Sequence, residues 1–408
     1  MEKRNYGRRN RRRKEKRLDD LGLAILWVIG VAIALALMCA VLAQLLGKAP
    51  TDRGPEDEGD PGTRLVSVQR DSGKPAPAVS AQSAVVMDLV SGRVLYEKNS
   101  REKAYPASTT KIMTALLGLE YGQLDRMVTV ADEAVGVEGS SIYLTYGEKL
   151  SMEDLLYGAM LRSGNDAATA IAVEISGSVE QFVALMNRRA KEIGAEETNF
   201  ANPTGLYEDA HYTTAYDMAL IARAAMLHPG FEKIAGTKTW TAKRQEGRDP
   251  YFYNKNKVVH QYEGGTGVKI GYTKASGRTL AASSEREGRE LICVVMNAPD
   301  WFNDSYRLMD WAYETYELAT IAEGGRCLEK VMVEDGDRET VWVGVKEDVT
   351  CLVLPSERDL LGMACAVTKP VTAPVDRGEL AGQLHVYVSG DYVYSVPLYF
   401  LEDVDEVR

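Results

Sequence analysis

The sequence predicts an α/β protein of the α+β type, in which one antiparallel sheet packs with a helical cluster and a small all-β domain follows. Strand-like segments lie at both ends of residues 81–323, and mostly helical segments lie between them. After Gly325, short apolar strands alternate with turns. We therefore expect the sheet to join strands that are distant in the chain, and residues 324–408 to form a separate β-rich domain.

The individual elements follow from periodicity. Apolar runs on either side of Val90–Gly92 predict a β-hairpin, and later runs predict strands at 266–272, 278–285 and 290–296. The nearly all-apolar pattern from Ala107 to about Glu120 predicts a buried helix. Further helices are predicted from Ser151, where "SMED" resembles a capping box, and at 166–176, 179–193, 214–227 and 303–321.

The N-terminal region has the pattern of a membrane anchor. Residues 1–17 contain ten Lys or Arg and two acids, and residues 21–46 contain no charge. As a helix, that apolar run would be about 39 Å long, enough to cross a hydrocarbon core of about 30 Å. The positive-inside rule then places residues 1–20 in the cytoplasm and the rest outside. The alternative is a signal peptide cleaved near Ala40 or Ala43, although its apolar core would be unusually long.

Residues 47–80 are rich in Pro, Gly, Asp, Glu and Ser and predict a flexible linker.

Composition excludes several classes of function. The chain has a formal net charge of −11, and because residues 1–17 carry +8, the remainder carries −19, which argues against nucleic-acid binding. The five cysteines and four histidines are dispersed without metal-ligand spacing, so we expect no metal or other cofactor.

Three short motifs have the residue types that serine acyl-transfer chemistry needs. In Ser108-Thr109-Thr110-Lys111, the i, i+3 spacing on a helix brings a hydroxyl and an amine together. A serine becomes a good nucleophile when a nearby base takes its proton, and burial beside other cations lets a lysine act as that base. The spacing alone is a weak signal.

The second and third motifs are also weak when taken singly. Ser163-Gly164-Asn165 lies between two predicted helices, where it could relay a proton and hold a carbonyl, or simply cap the next helix. Lys269-Ile270-Gly271 lies on a predicted strand, where the lysine could bind a carboxylate and the glycine could admit a substrate backbone. In this order, the three motifs match the signature of penicillin-binding proteins and class A β-lactamases.

The wider sequence resembles the low-molecular-mass penicillin-binding proteins, the serine-type D-alanyl-D-alanine carboxypeptidases of peptidase family S11. The resemblance covers about residues 82–400 and is carried by "YPASTTKIMTALLGLE", "MLRSGNDAATAIA", "NFANPTGLYEDAHYTTAYDMALIARAAM", "GVKIGYTKASGRTL" and "APVDRGELAGQLHVYVSGDYVYSVPL". It implies a β-lactamase/DD-peptidase-like domain at 81–323. It also implies peptidoglycan stem peptides ending in D-Ala-D-Ala as substrates and β-lactams as covalent inhibitors, at the outer side of a bacterial cell membrane.

The resemblance also implies a role for each motif residue. Ser108 would attack the carbonyl, Lys111 would be the general base, and Ser163 would relay a proton to the leaving amine. Asn165 would orient the substrate, and Lys269 would hold its terminal carboxylate and polarise Ser163. Gly271 would allow close approach, and the backbone N–H groups of Ser108 and Tyr272 would form the oxyanion hole.

One residue departs from the family pattern. The third motif usually has threonine where this chain has Ile270, which keeps the β-branched shape but has no hydroxyl. Losing one charge-assisted hydrogen bond to a carboxylate predicts a cost of about 1.5–3 kcal/mol, unless a residue such as Thr273 compensates. Ile270 is the sole support for an alternative, a weakly active or non-catalytic wall-binding scaffold.

A β-lactamase is a further alternative. It would need a deacylating glutamate two residues ahead of a Leu-Asn pair. Glu196 and Glu197 lie near Asn199, but the spacing differs and the leucine is missing.

Overall fold

The computed structural model describes residues 73–407, so the predicted cytoplasmic tail, membrane anchor and most of the linker lie outside the described residues. Within this range the helices are α1 Lys111–Tyr121, α2 Met152–Leu161, α3 Asn165–Ser176, α4 Val179–Ile193, α5 Ala215–Met226, α6 Pro229–Gly236, α7 Val258–Gln261 and α8 Trp301–Thr315. The strands are β1 Ser83–Asp88, β2 Val94–Lys98, β3 Met127–Thr129, β4 Lys149–Ser151, β5 Thr239–Thr241, β6 Tyr251–Tyr253, β7 Gly265–Thr273, β8 Gly277–Arg286, β9 Arg289–Met296, β10 Glu317–Ala322, β11 Cys327–Met332, β12 Thr340–Gly344, β13 Val349–Val353, β14 Leu361–Val367, β15 Leu380–Val388 and β16 Asp391–Phe400.

The main sheet joins the two ends of residues 81–323, which are predicted to carry the active site and which we call the catalytic region. Its order is β2-β1-β9-β8-β7, and every neighbouring pair is antiparallel. The first hairpin therefore pairs with strands that lie about 200 residues later in the chain. This confirms the predicted antiparallel sheet, and it makes β7 an edge strand of that sheet.

The two faces of the sheet pack against different helices. On β1, Val85 and Met87 belong to the core shared with the helical cluster, whereas Ala84 and Val86 belong to the core beneath α8. Successive side chains of a strand point to opposite faces, so a run of buried apolar residues fills both layers. The sheet is consequently covered on both sides, as in a three-layer domain.

The helical layer is built around α1. Its side chains Ile112, Met113 and Leu116 are buried, which confirms the prediction of a buried helix. The hydroxyl of Ser151 accepts the backbone N–H of Asp154 at 3.1 Å, so the predicted N-cap of α2 is also confirmed. An almost wholly apolar helix suits this position because neighbours bury its residues from Lys111 to Gly118.

The predicted helix at 303–321 is wrong at its C-terminal end. Helix α8 ends at Thr315, and Glu317–Ala322 form β10, which pairs antiparallel with β13. Between them, Tyr316 is extended and donates its hydroxyl to the carbonyl of Leu95 at 2.9 Å. Pairing with a distant strand overrides the local helical pattern here. Helices α6 and α7 and the two-stranded pairs β3–β4 and β5–β6 were not predicted from the sequence.

The C-terminal region is rich in strands, as predicted. Strands β11-β12-β16-β15-β14 form one antiparallel sheet, which shares an apolar core with the β10–β13 pair. Arg93, in the first hairpin, donates to the carbonyl of Leu352 at 2.8 Å and pairs with Glu357 at 2.7 Å. This buried contact joins the catalytic and C-terminal regions.

Between residues 73 and 407, no single helix has the length and apolar composition needed to cross a membrane. Helices α3 and α4 satisfy both criteria only when taken together, and they meet at a bend of 86°.

Candidate active site

The predicted nucleophile lies in a tight turn. Ser108 belongs to a short 3-10 helix, Ala107–Thr110, which continues into α1. Ala107 has a positive φ of 48°, an uncommon conformation for a residue with a side chain. The hydroxyls of Thr109 and Thr279 both donate to the carbonyl of Pro106, at 2.6 and 3.1 Å. The turn that presents Ser108 is thus fixed from within and from β8.

The structure brings Lys111 to Ser108, as the spacing predicts. The Lys111 side chain is completely buried, and its Nζ lies 3.2 Å from Ser108 Oγ. The same nitrogen contacts Asn165 Oδ1 at 2.6 Å and the carbonyl oxygen of Thr204 at 2.5 Å. Burial, and next the positive charge of Lys269, hold the pKa of Lys111 well below its usual value.

The second motif lies where α2 gives way to α3. Asn165 is buried, and its side-chain amide donates to the carbonyl of Glu138 at 2.5 Å, which leaves its oxygen facing Lys111. Ser163 is buried with a positive φ of 61°. Within residues 73–407 its hydroxyl has no hydrogen bond to Lys111 or Lys269, so the structure does not show the predicted polarisation of Ser163 by Lys269.

The third motif runs along edge strand β7. Lys269 is buried on the same sheet face as Ser108, and burial, followed by the charge of Lys255, lowers its pKa to about 7. Its Nζ donates to the carbonyl of Ile270 at 3.1 Å. A Cβ on Gly271 would lie only 2.9 Å from the backbone nitrogen of Ser108. A glycine is therefore required where this strand passes the nucleophile.

The departing residue points away from this chemistry. Ile270 is half-buried and packs against the apolar core beneath α8, beside its cross-strand partner Leu280. The side chain of Tyr272 is exposed. The hydroxyl of Thr273 bonds with that of Ser276 at 2.8 Å in the β7–β8 turn. Ile270 thus fills an apolar layer, and Thr273 already has a local partner.

Several residues of the site carried no assigned role in the sequence analysis. The carbonyl of Thr204 accepts from Lys111, and a Cβ on the next residue, Gly205, would lie 1.8 Å from the carbonyl oxygen of Ala107. His211 forms a hydrogen bond with the hydroxyl of Thr110 at 2.8 Å, and burial lowers the pKa of His211 to about 4.

Lys255 is exposed, yet its charge lowers the pKa of both Lys111 and Lys269. The Asn-Pro-Thr-Gly sequence was a turn signal that could have pointed to Gly205.

The described residues include no group of three His, Cys, Asp or Glu side chains placed to hold a metal ion. What the site does combine is a serine, a buried lysine with a lowered pKa and a glycine-bearing strand, where the antiparallel sheet meets the helical cluster. That combination defines the class of serine enzymes that form acyl intermediates with a lysine base.

Comparison with known proteins identifies the family. The family model for D-alanyl-D-alanine carboxypeptidase matches residues 70–300, and the model for the C-terminal domain of penicillin-binding protein 5 matches residues 316–406. The chain belongs to the S11 family of D-alanyl-D-alanine carboxypeptidases and is a serine hydrolase of that type.

Individual relatives agree with this assignment. The chain is 34% identical to the D-alanyl-D-alanine carboxypeptidase DacF of Bacillus subtilis over 336 residues, which span 80% of this chain and 86% of the relative. The structure of penicillin-binding protein 5 from Haemophilus influenzae matches with a TM-score of 0.66 and 29% identity, over 82% of this chain and all of that one. These likenesses confirm the predicted fold and function, and they do not support the scaffold alternative.

Proposed function

We propose that this enzyme removes the terminal D-alanine from peptidoglycan stem peptides through an acyl-enzyme on Ser108. The observation that carries the proposal is the set of three contacts made by Lys111 Nζ. A neutral amine has two N–H donors and one lone pair. Asn165 Oδ1 and the Thr204 carbonyl can only accept, so they take both donors, and the lone pair is left for the Ser108 hydroxyl.

The reaction follows from that arrangement. Lys111 takes the Ser108 proton as Oγ adds to the carbonyl between the two D-alanines, and the oxyanion is held by the backbone N–H groups of Ser108 and Tyr272. The C–N bond then breaks, and the proton passes to the leaving D-alanine amine, directly or through Ser163. Water attacks the resulting ester, with Lys111 again taking the proton, and releases the shortened peptide.

The terminal carboxylate of the substrate needs a positive partner, and two lysines serve. Lys269 is buried on the face of Ser108, whereas Lys255 is exposed and close enough to influence Lys269 electrostatically. A carboxylate arriving between them would offset a repulsion that is already present in the empty site. We therefore assign carboxylate binding to Lys269 together with Lys255, a residue that the sequence motifs do not include.

The same chemistry accounts for inhibition by β-lactams. A strained lactam carbonyl accepts the same attack by Ser108, and its carboxylate occupies the same pair of lysines. The leaving nitrogen stays tethered to the acyl group through the opened ring after the C–N bond breaks, so it cannot diffuse away as D-alanine does. The acyl-enzyme should consequently persist and be detectable with a fluorescent penicillin.

The test uses the full-length protein in detergent with diacetyl-Lys-D-Ala-D-Ala as substrate. We expect D-alanine release and covalent penicillin labelling from the wild type, and neither from Ser108→Ala with an unchanged melting temperature. The assignment of the nucleophile would be wrong if the variant still released D-alanine. Absence of release by the wild type would reject the proposed reaction.

We also propose that residues 21–46 form a retained single-pass anchor, with residues 1–20 in the cytoplasm and the catalytic region outside a bacterial cell membrane. The proposal rests on the charge of residues 1–17 and the length of the apolar run. In cells, the protein should fractionate with membranes and be digested by external protease only after residue 46. A mature N-terminus near Gln44 would show cleavage instead.

A further inference from the structure

Asp166 is a buried carboxylate with an unusual number of donors. It is the second residue of α3 and directly follows Asn165. Its oxygens accept the backbone N–H groups of Ile142 at 3.1 Å, Leu144 at 2.9 Å and Ala167 at 2.9 Å, and the hydroxyl of Ser141 at 2.5 Å. Three of these four donors belong to one segment, which we call the 138–144 loop (residues 138–144). One side chain therefore organises most of a loop.

Asn165 fixes the other half of the same loop. Its backbone N–H donates to the carbonyl of Ser140 at 2.7 Å, and its side-chain amide donates to the carbonyl of Glu138 at 2.5 Å. A Cβ on Gly139 would lie 2.7 Å from that amide nitrogen. The residue that contacts Lys111 is thus wedged against a loop which Asp166 holds in place.

The loop is held in a conformation that it would not adopt by itself. Tyr143 has a positive φ of 61° although it is bulky, and the residue is 73% exposed. Its backbone N–H donates to the hydroxyl of Ser141, the same group that donates to Asp166. Strained residues of this kind persist only where their surroundings determine the backbone, and they occur frequently at functional sites.

Charge gives Asp166 a second connection to the site. The charged groups that act on Lys111 are Lys269 on β7, Lys255 ahead of α7 and Asp166 on α3, and Asp166 is the negative one among them. His211 is neutral at ordinary pH because burial, followed by the charge of Lys111, lowers its pKa to about 4. A cluster of three lysines is therefore offset by a single carboxylate.

We propose that Asp166 is a positioning residue for the peptidase reaction, which holds Asn165 and the 138–144 loop in one fixed arrangement and supplies the negative charge that offsets the lysines. This inference rests on the proposed function, because it assumes that Lys111 is the base. Asp166 touches neither Ser108 nor Lys111 within hydrogen-bond distance, so it acts through Asn165, the loop and its field.

The test is the pH profile of penicillin acylation in Asp166→Asn. We expect kcat for D-alanine release to fall at least about tenfold, because an amide presents N–H groups to backbone donors and displaces the loop. We also expect the acid limb of the acylation rate to move to lower pH by at least about 0.5 unit. Removing a negative charge disfavours protonated Lys111 and so lowers its pKa.

Two variants separate position from charge and from stability. Asp166→Glu keeps the charge but not the geometry, so kcat should fall while the acid limb stays. Asp154→Asn removes a comparable buried carboxylate from the first turn of α2, where it accepts from Ser151 and from Trp240 at 2.8 Å each. It should lower the melting temperature without moving the acid limb.

The inference would be overturned if Asp166→Asn lost stability as Asp154→Asn does but kept the wild-type acid limb. Should Asp166→Asn not fold, Ser141→Ala removes one loop donor only. It should then lower kcat a few-fold at constant melting temperature, and an unchanged kcat would reject the loop role. A wild type without any acylation would instead refute the proposed function.

Discussion

The catalytic region and the C-terminal β region solve the problem of a stable interior differently. Of the thirty buried polar or charged side chains in the described part of the chain, Glu357 alone lies in residues 317–407. That region is more than a third as long as the catalytic region, so size does not explain the difference. Glu357 itself forms an ion pair with Arg93, which lies in the first hairpin of the catalytic region.

The difference shows where the molecule carries groups that its fold alone does not need. Buried polar groups destabilise a protein unless they are fully hydrogen-bonded, and a buried charge needs still more compensation. The C-terminal core avoids both through valines and leucines on alternating strand positions. The catalytic core instead contains two buried lysines at one site, which stability by itself would not select.

The strongest test of this contrast is Lys269→Met. We expect D-alanine release to fall about 100-fold or more, because the variant loses a charge that we assign to carboxylate binding. At pH 6 we expect the free energy of unfolding to rise by about 1–5 kcal/mol, because a lysine whose pKa falls from 10.5 to about 7 on folding is costly to keep charged.

The pH dependence of the free energy of unfolding tests the same lysine. Below about pH 7, Lys269 is protonated in both states, and its cost to the folded state is complete. Between about 7 and 10.5 the unfolded chain keeps a proton that the folded protein has lost, so wild-type stability should rise with pH. The advantage of Lys269→Met in chemical denaturation should therefore shrink from pH 6 to pH 9. The control Lys346→Met, an exposed lysine over Tyr399, should change little at either pH.

Gly271→Ala tests geometry rather than charge. Its new Cβ would lie 2.5 Å from Thr279 Oγ1 and 2.9 Å from the Ser108 nitrogen, so the nucleophile or the strand must shift. A displacement of about 1 Å can cost about 100-fold in rate, and we expect a loss of about that size in penicillin acylation. Gly362→Ala is the matched strand control in the C-terminal region, where the nearest atom lies 3.6 Å away. Equal losses in both variants would contradict the proposed oxyanion geometry.

Lys255→Met should have a more selective effect. We expect kcat/KM for the free-acid peptide to fall about tenfold, the size of one charge-assisted contact. A peptide amide without the terminal carboxylate should be unaffected. Lys257→Met is the control from the same segment, because its ammonium lies over the ring of Phe302 instead. If kcat/KM fell equally for the free acid and the amide, Lys255 would act through its charge on Lys111 and Lys269 and not by binding the carboxylate.

The sequence predicted what local spacing determines. Ser108 and Lys111 are one helical turn apart, so their contact could be predicted from spacing alone. The buried helix α1 could be predicted from its apolar run. The sequence could not show that the carbonyl of Thr204, in a turn about 90 residues later, would accept a hydrogen bond from Lys111. A turn motif does not indicate which distant residues it will contact. The helix end at Thr315 was missed for a similar reason, since the partner strand β13 lies more than 30 residues further on.

The smallest expected effect concerns Ile270. The missing hydroxyl by itself predicts that Ile270→Thr improves kcat/KM for peptide and penicillin ten- to a hundredfold. The strand geometry lowers that expectation, because Ile270 packs toward α8 while Lys269 and Gly271 face Ser108. A threonine there would place its hydroxyl in an apolar layer, and in the proposed site Lys255 already supplies a charge for the carboxylate. We therefore expect less than about a tenfold change, together with a slight loss of stability.

The peptide amide distinguishes the two expectations for Ile270→Thr, a large gain from the added hydroxyl or little change. A gain of tenfold or more with the free acid, absent with the amide, would show that the threonine hydroxyl reaches the carboxylate and that isoleucine weakens the natural enzyme. A small change shared by both substrates would show that the pocket is built around isoleucine. In that case the double variant Ile270→Thr, Lys255→Met should lose activity as Lys255→Met does. A threonine that rescued the Lys255→Met loss would return the carboxylate contact to the third motif.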